Sequence, residues 1–347
     1  MKRRAFLKGS AVGFGSLATG LGMEGSKASL GAEPAAPTAE TNVNQIGRPV
    51  RVVSIGFRPG RPLEEIAALV DAEGAKGTDL IAIPETCRGQ DEKSLEALDG
   101  TTVGAMAQLA SKHRTYIVCP IDRKEGARRF NSAVLLDRQG QVACVYNKLY
   151  PVWQEECLKM PAVSPGNSAT VYQADFGRVG LAICFDVNWS ALWEQLSNQG
   201  AEMVIWPSAY SAGRSLQAQA TNFHYYIVSV TQIPDCLVFD IDGEQLVHDH
   251  NNLGNNTNVT RVTLDLDRCV FHRDLNAPEK RDKLLKERGE DVAQDKWLEM
   301  EGWFVLKAKR PGVSARELAR QYGLEELQHY LNRSQCEIDK YRGWEFS

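Results

Sequence analysis

Short apolar runs recur along the chain from residue 50 to residue 266, separated by turn residues or by amphipathic stretches. Residues 50–57 alternate and are β-branched, which predicts a strand. Residues 62–76 place Leu63, Ile66, Ala67 and Val70 on one face behind Pro62, which predicts a helix. A strand is expected over 79–85, a helix over 103–113 and a strand over 115–120. Residues 132–136 and 142–146 read as a hairpin around Arg138-Gln139-Gly140. Residues 170–174 and 179–183 read as another, turning through Asp175-Phe176-Gly177. Beyond them come a helix near 191–198, a strand over 203–206, a helix over 216–226 and a strand over 227–231. A last hairpin turns at Asp242-Gly243, and 259–266 completes the pattern. Strands joined by both hairpins and helical crossovers predict an α/β chain of two mixed sheets with helices outside. The proline-bearing loop 149–167 is expected to lie over any site the sheets carry.

Three of these strands end at a reactive side chain. One ends Ile83-Pro84-Glu85, one ends Tyr146-Asn147-Lys148, and one ends Ala182-Ile183-Cys184 before turning into a helix. Ligand sites of α/β sheets gather at strand ends. A strand-to-helix turn lifts a nucleophile above the sheet and aims main-chain N–H groups at what it attacks. A lone cysteine is more often inert core. Glu85, Lys148 and Cys184, all in this setting, form a candidate triad.

At these motifs the chain resembles the nitrilase superfamily, the carbon–nitrogen hydrolases. Asn131-Ser132-Ala133-Val134, Asp175-Phe176-Gly177-Arg178-Val179-Gly180 and Trp206-Pro207-Ser208-Ala209 support the resemblance, which runs from about Arg51 to about Asp267. It implies a four-layer α-β-β-α sandwich and assembly as a homo-oligomer. Two positions depart from the common pattern: Tyr150 stands where many members carry His, and Asn188, Trp189 and Ser190 where many carry Arg and Pro. The run from Lys148 to Glu156 resembles the aliphatic-amidase pattern, which maps a second site carboxylate to Glu156, with Glu155 as the rival.

The chemistry implied is covalent. Glu85 would take the Cys184 proton and return it to the leaving amine, while Lys148 would favour the thiolate and hold the developing oxyanion. The Phe185 N–H would be a second oxyanion donor. Trp189 and Tyr210 are candidate pocket walls beside Phe185. The reading needs neither metal nor cofactor. The expected substrates are linear amides or N-carbamoyl compounds, with nitriles as the nearest rival. A non-catalytic binding or assembly protein is the alternative of another class.

Charge and composition refine this reading. A net charge of −4 gives no basis for nucleic acid or an anionic membrane as partner. Arg3-Arg4 ahead of a weakly apolar run over 11–21, with Ser26-Lys27-Ala28 as a small-residue cleavage site, reads as a Tat export signal over 1–28. Periplasmic or extracellular residence, and no membrane contact after cleavage, follow from that. Residues 29–48 are expected to be a disordered leader, 49–275 the hydrolase domain and 276–347 a helical extension. The eight cysteines show no C-x-x-C pair. His248-Asp249-His250-Asn251 is a weak candidate metal set, and His113 and His224 are candidate partners for a Cys–His dyad. Residues 314–324 have the look of a helix-turn-helix opening, with Ser314 and Glu317 spaced as a capping box.

Overall fold

The structure is a computed structural model that describes residues 45–157 and 159–343, without the side chain of Glu156. The export signal and the leader up to residue 44 lie outside these residues. The leader's last residues are bound to the fold. Ile46 bridges Pro311, the Arg48 N–H donates to Asp265 Oδ1 at 2.8 Å, and the Arg48 guanidinium pairs with Glu202.

The first sheet contains β1 (Pro49–Phe57), β2 (Leu80–Ala82), β3 (Tyr116–Glu125), β4 (Arg128–Leu136), β5 (Val142–Asn147) and β12 (Thr257–Asp265). Its order is β12-β1-β2-β3-β4-β5, with β1, β2 and β3 parallel and the other pairs antiparallel. The second contains β6 (Thr170–Ala174), β7 (Gly177–Leu181), β8 (Met203–Ser208), β9 (Tyr226–Thr231), β10 (Asp235–Phe239) and β11 (Gln245–His250). Its order is β11-β10-β9-β8-β7-β6, with β7, β8 and β9 parallel.

The period-two pattern of β1 explains the layering. Val50 and Val52 join the core shared with the second sheet, while Val53, Ile55 and Phe57 join the core under α1 (Leu63–Gly74) and α2 (Thr101–His113). Helices α4 (Ser190–Asn198) and α5 (Gly213–Phe223) cover the second sheet through Leu192, Trp193, Leu196, Leu216 and Ala220. The result is the expected α-β-β-α sandwich.

Two boundaries differ from the sequence pattern for identifiable reasons. Strand β3 continues through Asp122-Arg123-Lys124-Glu125, a charged run that gives no strand signal. Its polar groups are satisfied across the hairpin: Arg129 pairs with Asp122, and Arg123 donates to Ser132 Oγ at 3.0 Å and Asn147 Oδ1 at 3.1 Å. Helix α5 ends at Phe223 because His224 takes a left-handed φ of 56°, which frees Tyr226 to begin β9.

The tail is not purely helical as expected. It runs α6 (Ala277–Arg288), β14 (Val292–Leu298), β15 (Trp303–Ala308), α7 (Ala315–Gln321) and α8 (Leu327–Arg342). With β13 (Cys269–His272), the two strands form a sheet ordered β13-β15-β14. Phe271, Leu284, Phe304 and Leu306 build a small core of its own. Ser314 Oγ accepts from the Glu317 N–H and caps α7, while Ala315, Leu318, Ala319 and Leu324 are buried in that core. The helix-turn-helix-like segment is therefore engaged in packing. No helix among the described residues is long and apolar enough to cross a membrane.

The tail is clamped to the second sheet by charge. Lys296 Nζ lies 2.6, 2.7 and 2.6 Å from carboxylates of Asp240, Asp242 and Glu244. Arg268 pairs with Asp240 at 2.6 Å and Asp295 at 2.8 Å. The acidic trio has the spacing of a cation site, but the ammonium of Lys296 occupies it. His248 and His250 are exposed on β11, and Asp249 between them accepts from Thr260 Oγ1 at 2.8 Å, so that motif does not converge. Lys296→Ala should leave Asp242 and Glu244 without this cation, and Asp240 with Arg268 alone, and lower stability by about 2 kcal/mol. A melting midpoint equal to the wild type would show that the clamp contributes nothing.

Candidate active site

Glu85, Lys148 and Cys184 come from three strand ends that the two facing sheets bring together. Glu85 follows β2 and Lys148 follows β5 in one sheet, and Cys184 follows β7 in the other. Cys184 opens a 3-10 turn, Cys184–Asn188, that leads into α4. Its φ is 47°, a left-handed conformation costing a non-glycine residue about 1–2 kcal/mol. Tertiary bonds hold it there: Trp206 Nε1 donates to the Cys184 carbonyl at 3.1 Å, and the Ile183 N–H donates to Asp186 Oδ2 at 2.9 Å.

Lys148 is 1% exposed. Its Nζ lies 2.9 Å from Glu85 Oε1 and 2.8 Å from Glu155 Oε2. Burial alone would lower this ammonium, but attraction to Glu85, Cys184 and Glu155 outweighs it and raises the group above its ordinary value. The Glu155 carboxyl moves the other way. Burial pushes it up, Lys148, Gln90 and Asn131 pull it down, and the net shift is downward. At neutral pH the group therefore carries an ammonium between carboxylates, and it is not a base.

A second carboxylate beside Lys148 is Glu155, the rival in the sequence reading. The loop after β5 folds into α3 (Trp153–Cys157), where the Glu155 side chain accepts from the Val152 N–H at 3.0 Å and is buried. The side chain of Glu156 lies outside the described residues.

Asn131 completes the charge cluster and had no role assigned from sequence. Its Nδ2 donates to Glu85 Oε1 and to Glu155 Oε1, both at 2.7 Å. Gln90 Nε2 donates to Glu155 Oε1 at 2.7 Å, and Gln232 Nε2 to the Glu85 carbonyl at 2.8 Å. The β4–β5 register held the signal. Ser132 pairs with Asn147, which sets Asn131 opposite Lys148, and the Lys148 N–H donates to the Asn131 carbonyl at 2.9 Å.

Cys184 is 5% exposed. Burial, reinforced by the Glu85 charge, pushes its thiol up to about 12, against Lys148, the Ala209 N–H and the Ser208 hydroxyl, which favour the thiolate. The free protein thus holds a protonated thiol with the Glu85 carboxyl near it. The Phe185 N–H, next in the turn, donates to no protein acceptor among the described residues. Around the thiol, Tyr150 stacks on Trp189 with ring centres 4.2 Å apart, and Phe185 meets Trp189 edge-on at 4.9 Å. Tyr210 packs on Trp206 at 5.7 Å. The rings of Tyr150, Phe185 and Trp189 are partly exposed and Tyr210 is exposed, while Trp206 is buried.

Neither candidate dyad histidine belongs to this site. His113 Nε2 lies 2.6 Å from Asp71 Oδ1, between α1 and α2. His224 Nδ1 lies 3.2 Å from the Ile241 carbonyl, its ring against Trp303, and burial lowers it to about 4. The pH response of Cys184 tests the site's electrostatics. Alkylation of Cys184 by iodoacetamide should keep rising with pH through the ordinary thiol value of 9.0. A plateau reached below that value would mean that the resting site holds a thiolate.

The sequence matches the profile of the carbon–nitrogen hydrolase family over residues 57–273. It is 27% identical over 198 residues to a deaminated glutathione amidase of Synechocystis sp., covering 49% of this chain and 71% of that protein. It is 26% identical over 200 residues to the nitrilase and fragile histidine triad fusion protein of Drosophila melanogaster, covering 49% of this chain and 41% of that protein. The fold resembles Saccharomyces cerevisiae Nit3, a member of the nitrilase superfamily, with a TM-score of 0.55 at 16% identity over 70% of this chain and 95% of that one. An amidase from Nesterenkonia sp. aligns with a TM-score of 0.54 at 18% identity, over 69% of this chain and 97% of that one.

Proposed function

The chain belongs to the carbon–nitrogen hydrolase family, hydrolases of carbon–nitrogen bonds other than peptide bonds, and from that premise we propose that it is an amidase with Cys184 as nucleophile. The observation that carries the reading is the buried ammonium of Lys148, bonded to Glu85 and Glu155 and attracted by the Cys184 sulfur. In this reading Glu85 removes the Cys184 proton as Sγ attacks the amide carbon. The oxyanion is held by Lys148 Nζ and the Phe185 N–H. When the C–N bond breaks, Glu85 returns the proton to the nitrogen, and ammonia or an amine leaves from a thioester. Glu85 then takes a proton from water, whose oxygen attacks the thioester carbon. The acid departs and the thiol regains its proton.

Glu155 and Asn131 hold Lys148 and Glu85 in place. The rings of Tyr150, Phe185, Trp189 and Tyr210 favour an uncharged, apolar acyl group. N-carbamoyl compounds share the chemistry and remain within the class. Similarity to a protein named as a deaminated glutathione amidase supports amides over nitriles for this chain. The twin-arginine segment supports export, and assembly of copies through the helical faces is part of the same reading by analogy.

Incubation of the full chain with a pooled set of amides, N-carbamoyl acids and nitriles, followed by mass spectrometry, tests the proposal. An acyl adduct on Cys184 from an amide or carbamoyl donor, with ammonia released, is the expected result. An adduct and turnover from nitriles alone would overturn the amidase assignment. Cys184→Ala should abolish turnover, and Glu85→Gln should slow acylation by about 10²–10⁴-fold. Glu155→Gln should reduce kcat by more than about tenfold through misplacement of Lys148. Wild-type kcat in that variant would remove Glu155 from the site.

A further inference from the structure

Asp186, two residues beyond Cys184, is fully buried, yet among the described residues its carboxylate forms no ion pair at hydrogen-bond distance. It accepts instead from three neutral donors at or just beyond strand ends of the two sheets. Tyr146 Oη donates to Oδ2 at 2.6 Å, the Ile183 N–H to Oδ2 at 2.9 Å and the Tyr150 N–H to Oδ1 at 2.9 Å. Ile183 precedes Cys184, while Tyr146 and Tyr150 stand two residues either side of Lys148. The Leu149 N–H donates to Tyr146 Oη at 3.3 Å, so every residue adjoining Lys148 on its C-terminal side through Tyr150 is tied into the same knot. The Asp186 carbonyl accepts from Trp193 Nε1 at 3.1 Å, anchoring the turn to α4.

We propose that Asp186 is a positioning residue that fixes the separation of Lys148 from the Cys184 sulfur, by binding the chain on both sides of Lys148 to the turn that carries Cys184. Apolar packing between two sheets is non-directional, so the spacing of particular strand ends depends on the few polar bonds that cross between them. A group that only accepts is required, because all three partners donate. Asn at this position would turn an N–H₂ towards a donor. Burial raises the Asp186 carboxyl to about 7 against the downward pull of Tyr146, the Ile183 and Tyr150 N–H groups and Lys148. A buried carboxylate without a direct counter-ion is costly to keep. A turn alone could be capped more cheaply, so the carboxylate has a use in joining the two strand ends.

The inference rests on the reading of Cys184 and Lys148 given above, so its test includes an arm that needs no substrate. In the full chain, Asp186→Asn and Tyr146→Phe are compared with wild type for steady-state amide hydrolysis, and for the rate of Cys184 alkylation by iodoacetamide at one fixed pH. Asp186→Asn should lower kcat by about 100-fold with KM within about threefold, as expected for a misplaced catalytic group. Alkylation should slow as well, because the sulfur loses the nearby ammonium. Tyr146→Phe, which removes one of the bonds, should change both in the same direction by about tenfold or less. Wild-type alkylation and kcat in Tyr146→Phe, together with a KM-only defect or wild-type kinetics in Asp186→Asn, would overturn the proposal. If Asp186→Asn does not fold, Tyr146→Phe decides alone, and unchanged alkylation in it rejects the role. If the wild type hydrolyses no amide, the functional reading fails, while the alkylation arm still reports on the spacing.

Discussion

The buried ammonium of Lys148 is the interaction on which the rest of the site depends. Taking an ammonium and two carboxylates out of water costs several kcal/mol per ion, recovered only when geometry is close and the remaining lone pairs are bonded. Lys148 meets Glu85 and Glu155 at 2.9 and 2.8 Å, and Asn131 and Gln90 supply further donors to the carboxylates. The cluster holds one more formal negative charge than positive. Lys148 therefore divides its attraction between two carboxylates, one on the loop after β2 and one on α3.

The sandwich makes such a cluster possible. The inter-sheet core of Val50, Val52, Leu80, Leu181, Ile205 and Val228 excludes water below the strand ends, and the loop bearing Glu155 covers them. In that dry setting burial pushes the Cys184 thiol up to about 12, and in the proposed reaction proton removal accompanies attack. The neighbouring carboxylate Asp186 belongs to a different economy of contacts: it accepts only neutral donors and joins the two strand ends. The tail is held by a third arrangement, Lys296 among the buried carboxylates of Asp240 and Asp242 and the exposed one of Glu244, remote in sequence from the site. Each of the three uses charge for a different end: reactivity, spacing and attachment.

How far the site could be read in advance varied with the kind of signal each residue carries. Glu85, Lys148 and Cys184 each close an apolar run, and a run that stops at an ionisable group is visible in one dimension. Asn131 lies within a strand and contributes no charge; its place opposite Lys148 emerges from the β4–β5 register. The bond from Lys148 to Glu155 is a tertiary contact, and spacing from Lys148 does not single out one of two adjacent glutamates. Asp122 to Glu125 looked like loop because their strand pairing is stabilised by partners, Arg129 and Asn147 among them, that only the hairpin brings near. The tail's strands were hidden by a high local charge, and Lys296 and Arg268 turned that charge into attachment.

The sequence by itself determined the alternation of strands and helices, the two-sheet class and the residue types available for covalent chemistry. Those are local properties: period, turn residues and the chemistry of side chains at the ends of apolar runs. The tertiary structure alone decided that Glu85, Lys148 and Glu155 share hydrogen bonds, that Asp186 spans both sheets, and that the histidines stand elsewhere. Distances between strand ends are set by how two sheets pack and by the few directional bonds that cross between them, and neither leaves a periodic trace along the chain.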